Sequence, residues 1–448
     1  MHGLLALLAS PNVSDAYGDV LQVYPAWLRQ GLEGTWLGID APWVYPLPAW
    51  LPILAAGALG PEALPVLWML LVTLLDAIAF RLLLEIPRGR LLACTWLGLQ
   101  LALGPVALGR IDTVAVAVTI VGLVALRLGR TGAAAGVLTA AAWLKIWPGV
   151  LYLALLIARR PRVPILAAGA LVSGAVLLVA GMLRSAFPLS FLTAQGDRGL
   201  QIEAVAATPY LWLAAIGDAA RVEFDRGVWT YQVTGPGVDA VAALATPALI
   251  AMVAVVSALG VVAVRRQRGR EAIGWLALAL VEVLLVTNKV GSPQFAMWLV
   301  VPALLLAEEG GRRRWQAVAA VAAVSLATQL QFPWTYDWLV MSHPLAVLLL
   351  TLRSLGHVAL LALAVAMLVR IARERAADAR PGSGASAEER REQVADAVGL
   401  DEEGVVAEGA LEHDRLGARR ARRDARREPP LVGDGEEAIA RDADDERR

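Results

Sequence analysis

The sequence predicts an all-α membrane protein, a polytopic bundle of transmembrane helices. Hydrophobic residues make up 58% of the 448 residues, a much larger share than soluble domains contain. They are grouped into apolar blocks such as 64–80, 163–182 and 247–264, and each block has roughly the 20 residues that a helix needs to cross a bilayer. Short arginine clusters separate the blocks, as loops separate spanning helices.

The arginine clusters also predict how the helices are oriented. Cytoplasmic loops carry an excess of Lys and Arg, so we place all six clusters on the cytoplasmic side. They are Arg88/Arg90, Arg127/Arg130, Arg159/Arg160/Arg162, Arg265/Arg266/Arg268/Arg270, Arg312/Arg313/Arg314 and Arg370/Arg373/Arg375. With this assignment the chain alternates between the two sides over about nine full spans. The spans are 64–84, 91–108, 113–127, 163–183, 241–264, 272–288, 295–308, 316–331 and 356–372.

Segment 132–158 breaks this alternation, because arginines flank it on both sides. It contains WLKIWPG, in which Lys145 precedes Pro148, and proline interrupts a helix interior. We therefore predict a broken pair of short helices that enters and leaves on the cytoplasmic side and turns near Lys145. Irregular backbone is tolerated at membrane depth only within protein or beside a wet cavity. The alternative is one long tilted helix that leaves the arginines of 159–162 on the outside.

The chain divides into three predicted parts. Residues 1–62 form an extracytoplasmic first loop with surface helices, residues 63–373 the transmembrane core, and residues 374–448 a cytoplasmic tail. The tail is charged and poor in aromatic residues, a composition typical of disordered chain. The core exposes two further outside stretches, at about 184–240 and 332–355. Because the apolar run at the very start is too short to span a bilayer, we expect a first helix upstream of the given sequence.

The first outside stretch combines aromatic residues with carboxylates. Asp15 and Asp19 precede Tyr24, Trp27 and Leu28, whose spacing predicts a short helix on the membrane surface, where Trp and Tyr are favoured. A carboxylate held just above the bilayer is suited to act as a general base on a sugar hydroxyl. The alternative is an ordinary loop acid in an aromatic belt.

Polar residues also occur in the later outside stretches. Arg198, Gln201 and Glu203 lie together beside an apolar run. Lys289 ends a predicted outward span, and Gln294 follows it in TNKVGSPQFAMWL. A lysine at that depth suits the phosphate of a lipid, and the alternative is a snorkelling anchor at a helix end.

The last span carries a predicted polar face. Arg353 and His357 are four residues apart and so share a face of one helix, and His343 lies near the same outer edge. Charged residues inside membranes usually face a bundle interior or a cavity. Asp76 and Glu282 also lie inside spans, and arginines are the partners predicted for them.

Several classes of site are absent from the sequence. It contains no GxxxxGK[ST] loop for a nucleotide and no sizeable soluble domain for a nucleotide sugar. Its four histidines are not clustered, which argues against a histidine-built metal site, and the single Cys94 excludes a disulfide framework. We therefore predict no metal, no cofactor and no nucleic-acid partner.

Five segments resemble one family, and they occur in the family's order. They are GDVLQVY followed by WVYPLPAWLP, ALGRIDTVAVAV, GVLTAAAWLKIWPGVLYLALLIARR, RGLQIEAVAATP and TNKVGSPQFAMWL. The series resembles the GT-C superfamily, specifically glycosyltransferase family 87, over nearly all of the chain before the tail. That family includes the actinobacterial alpha-mannosyltransferases that build phosphatidylinositol mannosides.

The resemblance implies an inverting transfer of a sugar, mannose by preference, from a polyprenyl-phosphate donor to a lipid or glycan acceptor. It also implies a multi-pass plasma-membrane protein with an extracytoplasmic active site and an aspartate base in the first outside loop. By position in GDVLQVY that base is Asp19, and Asp15 is the runner-up. The residues expected to bind the donor phosphate are Lys289, Arg198, Arg353 and Lys145. The residues expected to make other substrate contacts are Gln201, Glu203, Gln294, His343 and Tyr24.

A transporter or lipid flippase without transferase activity is the competing prediction. Broken helices and intramembrane charges are typical of transporters as well. The two halves of the chain show no inverted repeat, and a carboxylate-bearing amphipathic first loop has no evident use in transport. These two observations favour the transferase.

Overall fold

Helices form most of the protein. The computed structural model describes residues 1–3, 5, 16–194, 196, 198–217, 219–227, 229–265 and 269–378. Most of these residues are helical, with one short two-stranded sheet, which confirms the predicted all-α class. Asp15 and nearly all of the predicted cytoplasmic tail lie outside the described residues.

The first half of the described chain begins with short helices and continues into longer apolar ones. A π-helical turn at Asp19–Val23 leads into α1 (Tyr24–Leu32), and α2 (Trp50–Ala56) follows after a loop. The next helices are α3 (Leu64–Leu83), α4 (Gly89–Leu103), α5 (Ile111–Arg127), α6 (Thr131–Leu144), α7 (Pro148–Ala158) and α8 (Val163–Met182). Two helices thus lie within the predicted first loop, and their position on the membrane surface stays a prediction.

The second half contains a loop region with a β-hairpin and the remaining long helices. Its elements are α9 (Ser190–Thr193), α10 (Thr208–Ile216), β1 (Arg221–Asp225), β2 (Thr230–Thr234), α11 (Val238–Val264), α12 (Gly269–Thr287), α13 (Val300–Glu309), α14 (Arg312–Gln329), α15 (Tyr336–Val340) and α16 (Pro344–Asp378). A 3₁₀ segment at Pro293–Leu299 leads into α13, and a π-helical turn at Leu330–Trp334 follows α14.

Prolines and glycines set several helix boundaries. Pro65, Pro148, Pro164 and Pro209 each lie in the first turn of a helix, where a backbone N–H has no partner within the helix. Helix α4 ends at Gly104, whose φ of +72° is a conformation that glycine adopts without strain. The boundaries of these helices therefore follow from local sequence.

Six of the described helices are long and apolar enough to cross a membrane. They are Leu64–Leu83, Gly89–Ala107, Val163–Met182, Val238–Val264, Arg312–Trp334 and Pro344–Glu374. Other apolar helices are shorter, among them α6 and α7. The chain is therefore a multi-pass membrane protein, and the count of about nine full spans stays a prediction.

The two short helices predicted around Lys145 are present. Helix α6 ends at Leu144 and α7 begins at Pro148. The first turn of α6 lies beside the first turn of α8, since a Cβ on Gly132 would be 3.6 Å from Pro164. Near the other end of α6, Trp143 Nε1 donates to Ser173 Oγ of α8 at 3.0 Å. Helices α6 and α8 thus run in the same direction, and α7 returns the chain between them.

Arginines from different loops meet at one end of the bundle, which we call the arginine end. Arg88 donates to the backbone carbonyl of Glu308, and Arg127 Nε lies 2.5 Å from the Glu308 carboxylate. Arg314 Nη2 lies 2.8 Å from Glu309 Oε2. Because α5 ends in Arg127 here, its first residues lie at the opposite end.

A β-hairpin between α10 and α11 was not predicted. Strands β1 and β2 pair antiparallel, with Glu223 opposite Gln232. The segment before α10 adds to the open edge of β2, because the Ile202 N–H donates to the Tyr231 carbonyl at 3.2 Å and the Val233 N–H to the Leu200 carbonyl at 2.9 Å. The hairpin therefore holds segment 200–202 in an extended form beside the transmembrane helices.

The prediction of arginine partners for two intramembrane acids is wrong. Asp76 Oδ2 accepts a hydrogen bond from Gln100 at 2.8 Å and lies 3.1 Å from His2 Nε2. Glu282 Oε2 lies 2.9 Å from His357 Nδ1. Helix packing brings an amide and histidines to these carboxylates, and the linear sequence does not show those neighbours.

Candidate active site

Asp19 joins the predicted first outside loop to the start of α5. Its carboxylate pairs with the guanidinium of Arg110, the residue before that helix. The Tyr24 hydroxyl donates to Asp19 Oδ2 at 3.5 Å and accepts from the Ile111 N–H at 3.0 Å. Burial, and then the charge of Asp19, raises the pKa of Tyr24 well above its ordinary value, so the hydroxyl keeps its proton. The Asp19 side chain remains 21% exposed, which leaves the carboxylate accessible.

Lys145 occupies the break between α6 and α7, where its backbone is extended. Its Nζ lies 3.2 Å from Asp112 Oδ2 and 4.4 Å from the ring centroid of Tyr45, with Phe295 at 5.7 Å. Trp298 Nε1 donates to the other Asp112 oxygen at 2.6 Å. Asp112 is fully buried in the first turn of α5. The helix break thus places a lysine beside Asp112, two residues after the Arg110 that pairs with Asp19.

A second buried pair joins the loop before α10 to α16. Arg353 Nη1 lies 3.6 Å from Glu203 Oε1, and Arg353 Nη2 donates to the Glu203 backbone carbonyl at 3.3 Å. Burial raises the pKa of Glu203 to about 7, although Arg353 and Arg110 act in the opposite direction. Glu203 therefore exchanges its proton near neutral pH. The influence of Arg110 shows that this pair lies close to the Asp19 pair.

Lys289 and Arg198 lie in the loops next to that pair. Lys289 Nζ donates to the Gly196 carbonyl at 2.6 Å, and the Lys289 carbonyl accepts from the Gln201 N–H at 3.0 Å. Burial lowers the pKa of Arg198, whereas the nearby Tyr45 and Asp225 of β1 act to raise it. Both basic residues therefore belong to the same end of the bundle as Lys145.

Two of the predicted substrate residues have less evident roles. His343 is exposed at the start of α16, with its ring 5.3 Å from that of Trp338. Gln294 is buried at the start of the 3₁₀ segment that carries Trp298. The runner-up base Asp15 lies outside the described residues.

Three cation–carboxylate pairs therefore form one cluster, which we call the charged cluster. The pairs are Asp19–Arg110, Asp112–Lys145 and Glu203–Arg353. Their charges influence one another, since Asp19 acts on Lys145 and Arg110 acts on Glu203. A partly exposed carboxylate among buried cations can accept a proton while the cations stabilise a developing anion.

Arg110 and Asp112 are the residues that the sequence prediction missed. Both lie in ALGRIDTVAVAV, where two charges directly precede a long apolar run. Buried charges are costly unless they are paired, so this position was a usable signal. The signal could not name the partners, because Asp19 and Lys145 come from other segments.

The described residues offer little for a metal ion. Within them, no group of three or more His, Cys, Asp or Glu side chains is arranged to hold one. The basic side chains of the charged cluster are instead suited to an anion such as a phosphate.

Comparisons with known proteins give one match. The model of glycosyltransferase family 87 matches residues 43–288, more than half of the chain. The matched region includes Arg110, Asp112, Lys145 and Glu203, whereas Asp19 precedes it. No curated protein and no solved structure matches the chain.

Proposed function

The chain belongs to glycosyltransferase family 87, and we propose that it transfers mannose from a polyprenyl-phosphate donor to a lipid or glycan acceptor. It is a glycosyltransferase with membrane helices. The donor, the sugar and the site of reaction on the extracytoplasmic face of the plasma membrane belong to the proposal. The observation that carries it is the charged cluster, in which an accessible carboxylate lies among buried basic side chains.

The sidedness of the reaction is supported by the charge distribution. The charged cluster lies at the start of α5, and the arginine end lies where α5 finishes. Lys and Arg in short loops favour the cytoplasmic side. By that rule the charged cluster lies on the extracytoplasmic side. This side suits a lipid-linked donor, because such a donor carries its sugar without a nucleotide.

In the proposed reaction Asp19 acts as the general base. An acceptor hydroxyl oxygen attacks the anomeric carbon, and its proton passes to the Asp19 carboxylate. The bond from the anomeric carbon to the phosphate oxygen breaks on the opposite face, and its electron pair leaves with polyprenyl phosphate. Such a direct displacement inverts the anomeric configuration.

Basic residues have the complementary role in this mechanism. Lys289, Arg198, Arg353 and Lys145 are the proposed ligands of the departing phosphate, whose negative charge grows as the bond breaks. Fixed cations in a site with little water stabilise such charge strongly. Arg110 and Tyr24 contact Asp19 directly, so we assign them the positioning of its carboxylate.

Asp19→Asn tests the base assignment. The purified variant, reconstituted with radiolabelled polyprenyl-phosphate-mannose and a lipid acceptor extract, is expected to lose transfer by about 100-fold or more. Asp239→Asn, at an exposed position at the start of α11, is the matched control and should retain wild-type transfer. Both variants must elute and unfold like the wild type.

Three results would contradict parts of the proposal. Wild-type transfer by Asp19→Asn rejects this base, and loss of transfer in Asp15→Asn alone would assign the role to the runner-up. Equal transfer from polyprenyl-phosphate arabinose or glucose rejects the preference for mannose. Translocation of the donor in liposomes without any transfer supports the transporter alternative, which the broken helix pair at Lys145 also allows.

A further inference from the structure

Glu203 is buried in a backbone arrangement that leaves it little freedom. Its loop packs directly on the turn after α12, where a Cβ on Gly291 would come within 2.2 Å of the Ala204 nitrogen and the Glu203 carbonyl carbon. The hydrogen bond between Gln201 and Lys289 joins the same two loops. The position of the Glu203 carboxylate is thus set by backbone contacts and by Arg353.

The pair of Glu203 and Arg353 is closed off from solvent. Each side chain is 7% exposed, and the guanidinium contacts both the carboxylate and the backbone carbonyl of Glu203. The two residues line a cavity together with His357, Gly291 and Ser292. Its volume of about 10 Å³ is roughly that of one water molecule. A phosphate group therefore reaches Arg353 only if the Glu203 carboxylate moves away or no longer pairs with the guanidinium.

Other charged groups also face Glu203. Arg353 and His357 come from α16, and Arg110 precedes α5. Lys289 lies on the turn after α12 and joins the loop of Glu203 through its backbone carbonyl. Glu282 of α12 lies behind His357 and contacts its ring. Because burial raises the pKa of Glu203 to about 7, its neutral fraction falls about tenfold between pH 6 and pH 8.

We propose that Glu203 is a counter-ion that competes with the phosphate of the donor for Arg353. If Glu203 is ionised, its carboxylate and the donor phosphate are two negative charges that share the single guanidinium of Arg353. In a poorly solvated site this arrangement is unfavourable. When Glu203 takes up a proton, the whole charge of Arg353 becomes available to the phosphate. Donor binding is therefore accompanied by proton uptake from solvent at Glu203, and the proton returns to solvent when the phosphate leaves. This inference rests on the proposed function.

The affinity for the donor as a function of pH tests this inference. The probe is radiolabelled polyprenyl-phosphate-mannose, bound to the full-length protein in nanodiscs without acceptor. As a phosphodiester it carries one constant negative charge from pH 6 to pH 8. We expect the Kd of the wild type to rise about tenfold over that range as Glu203 ionises. Glu203→Gln should keep the low Kd at both pH values, and the control Glu223→Gln, at an exposed position of β1, should behave like the wild type.

Arg353 provides the second variant. Arg353→Gln should weaken binding by about 10-fold or more at pH 6, and adding Glu203→Gln to it should change nothing further. A phosphate-free polyprenyl mannoside supplies a test on the wild type alone, because its binding should not depend on pH. This second measurement remains decisive even if Glu203→Gln does not fold.

The outcomes separate this inference from the proposed function. A wild-type Kd for the phosphodiester that is equal at pH 6 and pH 8 overturns the counter-ion role alone. Weaker binding of the phosphodiester by Glu203→Gln than by the wild type also overturns the counter-ion role alone. So does a pH dependence of mannoside binding equal to that of the phosphodiester. Failure of the wild type to bind the phosphodiester at either pH overturns the proposed donor and this inference together.

Discussion

Asp112 illustrates how single residues of this protein depend on distant partners. It is fully buried, and its two carboxylate oxygens contact Lys145 at 3.2 Å and Trp298 at 2.6 Å. A buried charge that loses its partner is expensive, whereas replacement of a whole pair by apolar groups often is not. The chemistry of Lys145 therefore depends on a residue that carries no proposed role with substrate.

Asp112→Ala should destabilise the protein by about 3–5 kcal/mol, because it leaves the Lys145 ammonium buried without a carboxylate. Asp112→Asn keeps an acceptor for Trp298 and should cost less. Thermal unfolding of the detergent-solubilised variants, followed by tryptophan fluorescence, measures the difference. Asp239→Ala is the exposed control. A melting temperature of Asp112→Ala equal to that of the control would show that the pair contributes nothing to stability.

Several site candidates can be recognised from the sequence as single residues, but their partners cannot. Lys145, Glu203 and Arg353 stood out as charges beside apolar runs. The contact of Arg353 with Glu203 joins residues 150 positions apart. Such a contact depends on how helices pack, and helical periodicity within one segment carries no information about it.

Among the contacts between structural elements, the close approach of two loops is the most important for the candidate site. The turn after α12 meets the loop before α10 at Gly291, where only a missing side chain allows the two backbones to approach. Lys289 and Glu203 lie on opposite sides of this contact. The position of Lys289 relative to Glu203 therefore depends on one glycine.

Gly291→Ala should separate these loops, because the added Cβ would overlap backbone atoms that cannot rotate away. We expect a loss of about 1–3 kcal/mol in stability and a higher KM for the lipid-linked donor, measured by thermal unfolding and by transfer kinetics. Gly181→Ala in α8, where a Cβ meets nothing within 4 Å, is the matched control. Unchanged KM and stability in Gly291→Ala would contradict this account of the loop contact.

The two unusual elements differ in how far sequence could predict them. The break between α6 and α7 follows from Pro148 and from arginines on both sides of the segment, which are local signals. In each strand of the β-hairpin, polar and apolar residues alternate over only five positions. An isolated hairpin of that length is marginal, and here segment 200–202 and the adjacent helices support it. That support cannot be inferred from the strands themselves.

At the scale of the whole molecule, charge separates the two ends of the helix bundle. Arginines from three loops meet at one end, and the charged cluster occupies the other. The parallel course of α6 and α8 requires the chain to return through α7. Both flanks of the broken pair thus lie on one side, which agrees with the positive-inside rule.

Cysteine labelling in sealed vesicles tests this arrangement. In a Cys94→Ala background, Arg130→Cys and Arg160→Cys should react with a membrane-impermeant maleimide from the same side. Arg226→Cys in the β-hairpin should react from the opposite side. Labelling of Arg160→Cys from the same side as Arg226→Cys would favour one long tilted helix over the broken pair. Permeabilised vesicles, in which all three variants must react, are the control.

The membrane class, the helical architecture and the break at Lys145 can all be predicted from the amino-acid sequence. These features depend on composition, on the length of apolar runs and on proline, all of which act within one segment. Helix packing determines which carboxylate neutralises which cation, and hence that Asp19, Lys145 and Glu203 belong to one cluster. The reason is physical: a buried charge requires a partner, and only the packing of distant segments determines which partner it meets.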